Sequence, residues 1–131
     1  RAEGVTTWTS ELPRADVAPA AARVMVHEHA DGMGDHAADV ALLVSELVTN
    51  AVRYGDAPIT VAITLDDGVL RVDVTDTGAG DRPSRKPAGT DGGFGLQLVE
   101  MLAHRWGVMA GATHVWFELD LAVPPRMPDG T

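Results

Sequence analysis

Val40-Ala41-Leu42-Leu43-Val44-Ser45-Glu46-Leu47-Val48-Thr49-Asn50-Ala51 is the stretch that decides how this chain folds. Val40, Leu43, Val44, Leu47, Val48 and Ala51 recur at intervals of three and four, which lays one apolar stripe along a helix. Asp35 precedes the stripe as a natural N-cap, and Gly55 follows it as a stop. Glu46 and Asn50 are four apart, so they share a helix face, and that face is not the stripe. A helix that buries one side and keeps an acid and an amide together on another needs an apolar surface to lie against.

The flanking sequence supplies that surface. Ile59, Val61, Ile63 and Leu65 alternate as a strand, Asp67-Gly68 is a hairpin turn, and Leu70, Val72 and Val74 alternate as the partner strand. Upstream, residues 1–12 carry Val5, Trp8 and Leu12 at spacings that suit an edge strand, 13–19 read as a linker or helix entry, and 20–30 as an Ala-rich helix. Downstream, 77–91 are Gly, Pro and charge without a period, which predicts a loop of the kind that serves as a lid or binding loop. A third helix is predicted over 94–106, and two short strands over 108–110 and 115–121. The expected architecture is α/β in the α+β sense: a two-layer sandwich with a mixed, mostly antiparallel sheet and helices on one face. One domain is expected over 1–131, with its core at about 19–121 and a flexible tail over 122–131.

Composition narrows the function classes. Apolar residues make up 45% of 131 residues, enough for a real core. There is no cysteine, so disulfides and thiolate chemistry are excluded, and a cytoplasmic location is the expectation. No apolar run approaches membrane-spanning length, and the N-terminus lacks a charged-then-apolar signal pattern. The chain starts at Arg1 rather than Met, which is compatible with a fragment. A net charge of −9 argues against duplex DNA or RNA as a partner, because phosphate neutralisation needs Lys and Arg. His27, His29 and His36 do not complete a metal set, and Ser45 lacks a nucleophile-elbow pattern. Trp106 and Trp116, beside Phe117, are expected in the core.

Three short motifs carry the chemistry. An amide oxygen and a carboxylate side by side suit a hard cation and a water or hydroxyl, which makes Asn50 a candidate Mg²⁺ ligand and Glu46 a candidate base. The same pair is also an ordinary solvated face. Asp76 ends the second hairpin strand, with Gly78 and Gly80 after it, so a carboxylate there can accept from an adenine amino group where the backbone comes close. Asp-Thr-Gly is equally ordinary turn chemistry. Gly92-Gly93-Phe94-Gly95-Leu96 opens the third helix and offers N–H groups to an anion, or simply enters a helix after a loop. Arg82, Arg85 and Lys86 reach phosphates from the loop or are solvated. In this order and on these elements, the three motifs describe a pocket for adenine, a metal ion and a triphosphate.

Together these residues resemble the GHKL ATPase superfamily, which carries the Bergerat ATP-binding fold. Ser45-Glu46-Leu47-Val48-Thr49-Asn50-Ala51-Val52 is similar to its N box, Asp76-Thr77-Gly78-Ala79-Gly80 to its first glycine box, and Gly93-Phe94-Gly95-Leu96 to its second. The form of the N box, the short lid and the ending Val115-Trp116-Phe117-Glu118-Leu119 are most similar to the bacterial anti-sigma-factor serine kinase branch. The resemblance implies ATP and Mg²⁺ as cofactors, Asn50 on the metal and Glu46 as catalytic base. It also implies Asp76 reading adenine, and Gly78, Gly80, Gly93, Gly95 and Leu96 shaping the pocket. Arg53 falls on phosphate and Thr113 on adenine, while Tyr54 departs from the branch, which often has His there. The implied partners are a sigma factor and an anti-anti-sigma protein phosphorylated on serine, and family members often form homodimers.

The leading expectation is therefore an anti-sigma-factor serine/threonine kinase. The alternatives are a nucleotide-responsive binding module without turnover, and the ATP-binding domain of a larger signalling protein such as a histidine kinase or fused regulator.

Overall fold

The stripe of the quoted helix is where the molecule closes. In a computed structural model that describes residues 5–54, 58–76, 94–108 and 114–125, α2 (Ala37–Tyr54) buries Val40, Leu43, Val44, Leu47, Val48 and Ala51. Each of the Val and Leu side chains contributes roughly 1.5–3 kcal/mol on leaving water, so the helix is held by packing more than by propensity. Its neighbours are α1 (Ala18–Glu28), which turns in Ala22, Met25 and Val26, and α3 (Phe94–Leu102), which turns in Val99 and Leu102.

The strands are β1 (Val5–Leu12), β2 (Ile59–Asp66), β3 (Val69–Thr75), β4 (Arg105–Val108) and β5 (His114–Asp120). Among the described residues they form one sheet in the order β1-β2-β3-β5-β4, and every pairing in it is antiparallel. The alternation read from the sequence sets the faces. Ile59, Val61, Ile63, Leu70, Val72, Val74, Phe117 and Leu119 are buried under the helices. The result is a two-layer α+β sandwich with the helices on one side. β1 takes the edge position expected of it. Asp67 and Gly68 both have positive φ (56° and 82°), the geometry of a type I′ turn whose twist matches the hairpin.

Several local expectations need correction. α1 starts and ends two residues earlier than predicted. Asp35 does not cap α2: Gly34 turns at φ 59°, and a 3₁₀ turn over Gly34–His36 runs straight into the helix. α3 ends at Leu102, and β4 occupies Arg105–Val108 instead of 108–110, because pairing Trp106 with Phe117 turns its indole toward the core. Trp116 is not a core residue. With Phe117 and Leu119 inside, the period of two sends it to the outer face, where the Arg71 guanidinium lies 4.4 Å from its ring centroid. A Cβ on Gly107 would sit 2.9 Å from the Trp116 indole nitrogen, so only glycine fits beneath that ring.

The first part of the expected tail, at Val123, is docked, as is Leu121 just before it. Leu121 N–H donates to Gly68 O (2.8 Å), and His36 Nε2 donates to Val123 O (2.6 Å). Residues 126–131 and the lid over 77–91 lie outside the described residues. No helix among the described residues is long and apolar enough to cross a membrane.

Candidate functional site at one end of the sandwich

Topology brings the motif-bearing segments to one end. α2 finishes at Tyr54, shortly before β2 begins at Ile59. Thr60 pairs with Thr75, and Thr75 pairs with His114, so the C-terminal ends of α2 and β3 share an end with the start of β5. β4 runs antiparallel to β5 from Arg105, at the far end, and α3 stops at Leu102 just before it. At 1.5 Å per residue α3 spans about 13 Å, which returns its N-terminal turn to the end where α2 and β3 finish.

Glu46 and Asn50 stand on the last turns of α2, both half-buried. Among the described residues neither the Glu46 carboxylate nor the Asn50 amide has a hydrogen-bond or ion-pair partner. Their neighbours on the same helix differ. Ser45 is 7% exposed and its hydroxyl donates to Leu42 O (3.0 Å), while the Thr49 hydroxyl donates to Ser45 O (2.7 Å). Those hydroxyls donate to carbonyls of their own helix. Asp76 is half-buried directly after β3. Arg53 is exposed, and its backbone carbonyl accepts from Arg14 Nη2 (3.4 Å). Gly95 and Leu96 lie in the first turn of α3. Gly78, Gly80, Gly93 and Thr113 lie outside the described residues, as do Arg82, Arg85 and Lys86.

The donor set discriminates between metals. Among the described residues no three His, Cys, Asp or Glu side chains are gathered to hold an ion. An amide oxygen with a carboxylate one turn away cannot make an all-protein cage, as calcium or zinc sites need. It does suit Mg²⁺, which keeps waters and binds through one or two protein oxygens plus substrate phosphates. The residues present therefore fit Mg²⁺ carried in with a nucleotide.

The opposite face and opposite end do different chemistry. On the outer sheet face Asp73 accepts from Arg71 Nη2 (3.1 Å) and His114 Nε2 (2.7 Å). Burial alone would raise its carboxyl, but these two hydrogen bonds hold it below the usual value of 3.8. Glu118 accepts from Arg71 Nη1 and Arg105 Nε, and Asp120 from Arg105. Each acid there is matched by a base, as in a solvated structural surface. At the start of α2, His36 (2% exposed) and Asp39 (4% exposed) are buried. Burial pushes the Asp39 carboxyl up, and the nearby His36 charge pulls it partly back. His36 also meets His104 edge-on, with ring centroids 6.3 Å apart. His27 is exposed, and His29 stacks on Trp8 with ring centroids 4.1 Å apart. Sequence reasoning missed Arg14. A linker arginine carries no period, and its target, two backbone carbonyls, leaves no trace in the sequence.

The family described as "Histidine kinase-like ATPase domain" matches residues 10–119. A crystal structure of the RsbU and RsbW domains of Rv1364c from Mycobacterium tuberculosis is similar, with a TM-score of 0.63 and 27% identity. The match covers 87% of this chain and 31% of that one, so this chain spans less than a third of that protein's resolved length. No curated protein matches the chain.

Proposed function

The chain belongs to the histidine kinase-like ATPase domain family, and from that premise we propose that it is a protein serine/threonine kinase of the anti-sigma-factor type. The family is an ATP-binding one, and the likeness to an RsbW domain supports a regulatory role. The observation that carries the finer reading is the pair Glu46 and Asn50. They are half-buried, share one helix face, stand at the end where β3 and α3 bring their motifs, and lack a protein partner among the described residues.

ATP is the phosphoryl donor in this reading, and Mg²⁺ offsets the charge on its phosphates. Asn50 offers its amide oxygen toward the metal, and Asp76 accepts from the adenine amino group. The N-terminal turn of α3, with Gly95, presents N–H groups to phosphate oxygens. Glu46 accepts the proton of a serine hydroxyl on a small anti-anti-sigma partner. The serine oxygen forms its bond to the γ-phosphorus as the bond from that phosphorus to the β,γ-bridging oxygen breaks, and ADP leaves. Positioning and charge neutralisation supply most of the acceleration. The net charge of −9 makes such local groups necessary, because the overall field repels a nucleotide.

Incubation with Mg²⁺-ATP and a candidate anti-anti-sigma protein tests this. Phosphoserine on the partner is the expected product. ATP binding without phosphoserine would instead identify a nucleotide-responsive binding module.

A further inference from the structure

Glu46 and Asn50 have no side-chain partner among the described residues, so their placement depends on the backbone that carries them. That backbone is the last part of a helix, where the final four carbonyls have no N–H within the helix to accept from. Two of those carbonyls are taken from outside. Arg14 Nε donates to Val52 O (2.7 Å) and Arg14 Nη2 donates to Arg53 O (3.4 Å). A guanidinium at this spot also sets a permanent positive charge against the negative end of α2. Its fork reaches two adjacent carbonyls at once, which fixes direction as well as distance.

Arg14 is itself anchored. It follows Leu12, which is buried and paired with Ile59 at the start of β2. The turn it stands in is closed by Ala15 N–H to Pro13 O (2.9 Å) and Ala18 N–H to Ala15 O (2.9 Å). The arginine thus ties the end of β1 to the turn that immediately follows Asn50 and contains Arg53. From this geometry we infer that Arg14 is a positioning residue of the nucleotide site. It holds the C-terminal turn of α2 in the orientation in which Asn50 meets the metal, and it touches no part of the nucleotide. This rests on the reading of Asn50 given above.

The test separates the metal-dependent part of binding from the rest. ATP is titrated into the wild type, Arg14→Ala and Arg14→Lys by calorimetry, once with Mg²⁺ and once with EDTA. Circular dichroism and Tm are read on the same samples. Arg14→Ala is expected to weaken Mg²⁺-ATP binding about tenfold, the size of effect that outer-shell partners of metal ligands have. Its affinity in EDTA, set by Asp76 and the rest of the adenine end, stays within about twofold of wild type on this reading. Arg14→Lys, which keeps the charge and one donor, recovers most of the loss. Equal weakening with and without Mg²⁺, or no weakening of either, overturns the inference. So does a failure of lysine to rescue a folded protein. A wild type that binds ATP equally well in Mg²⁺ and EDTA removes the metal role of Asn50 first, and this inference falls with it.

Discussion

The two ends of α2 are built from similar residues and do opposite things. At the N-terminal end His36 and Asp39 are buried, and His36 spends its Nε2–H on the carbonyl of Val123, a residue far away in sequence. At the C-terminal end Glu46 and Asn50 are half-buried and, among the described residues, bond to nothing. An acid and a nitrogen-bearing side chain thus stand near each end of the helix, His36 in the turn just before it. At the first end His36 alone stitches the chain to the strap after β5, while the buried Asp39 Oδ2 has no hydrogen-bond partner among the described residues. The second pair is the one proposed above to address a ligand, because it is only half-buried and has no side-chain partner among the described residues.

The comparison breaks most visibly at Glu46. Glu46→Ala is expected to keep ATP affinity and to lower phosphoryl transfer by about 10²–10⁴-fold, the usual contribution of a positioned base. Phosphoserine formation at saturating ATP measures this, and transfer at the wild-type rate would remove Glu46 from the role. Asn50→Ala comes next. Its Mg²⁺-dependent ATP affinity should fall by roughly a hundredfold, comparable to the loss of one preorganised polar contact, with Tm unchanged.

The other end behaves in reverse. His36→Ala removes a buried hydrogen-bond donor and leaves Val123 O without its partner, so about 1–3 kcal/mol of stability should be lost. ATP affinity, corrected for the folded fraction, should stay put. A chemical denaturation curve beside a binding isotherm shows whether the two ends are separable in this way. Asp39→Asn gives the smallest effect and the sharpest sign. The Asp39 carboxyl is held above its ordinary value of 3.8 mainly by burial, so the native state keeps that proton to higher pH than the unfolded chain does. The group's contribution is therefore fully present below 3.8 and is lost as pH rises through the raised native value. Asn carries no such charge, so the Tm of Asp39→Asn relative to wild type should improve from pH 4 to pH 8. A difference that stays flat across that range would show that the buried carboxyl does not titrate there.

The frame of the molecule was legible because two periods run through the sequence. The stripe from Val40 to Ala51 and the alternation from Ile59 to Val74 state which side of each element is inside, and Asp67-Gly68 states how the hairpin closes. Element ends were less legible, since tertiary pairing overrides local preference. Arg105 and Trp106 leave a helical pattern because Glu118 and Phe117 wait across the strand. Trp116 was misplaced for a related reason: aromatic content alone says nothing about which face of a strand a residue takes. The pairing of Glu46 with Asn50 could be read from spacing, and Asp76 from its place at a strand end. Arg14 could not, nor could the docking of Val123 on His36, because both join distant segments through backbone carbonyls that every residue possesses.

Peptide-resolved hydrogen exchange with and without Mg²⁺-ATP reads both ends of α2 in a single experiment. The expected result is new protection over residues 46–54, at Asp76 and in the first turn of α3, with exchange around His36 and Asp39 unchanged. Protection confined to the His36 end, or none anywhere along α2, would contradict the assignment of the nucleotide to the Glu46 and Asn50 end.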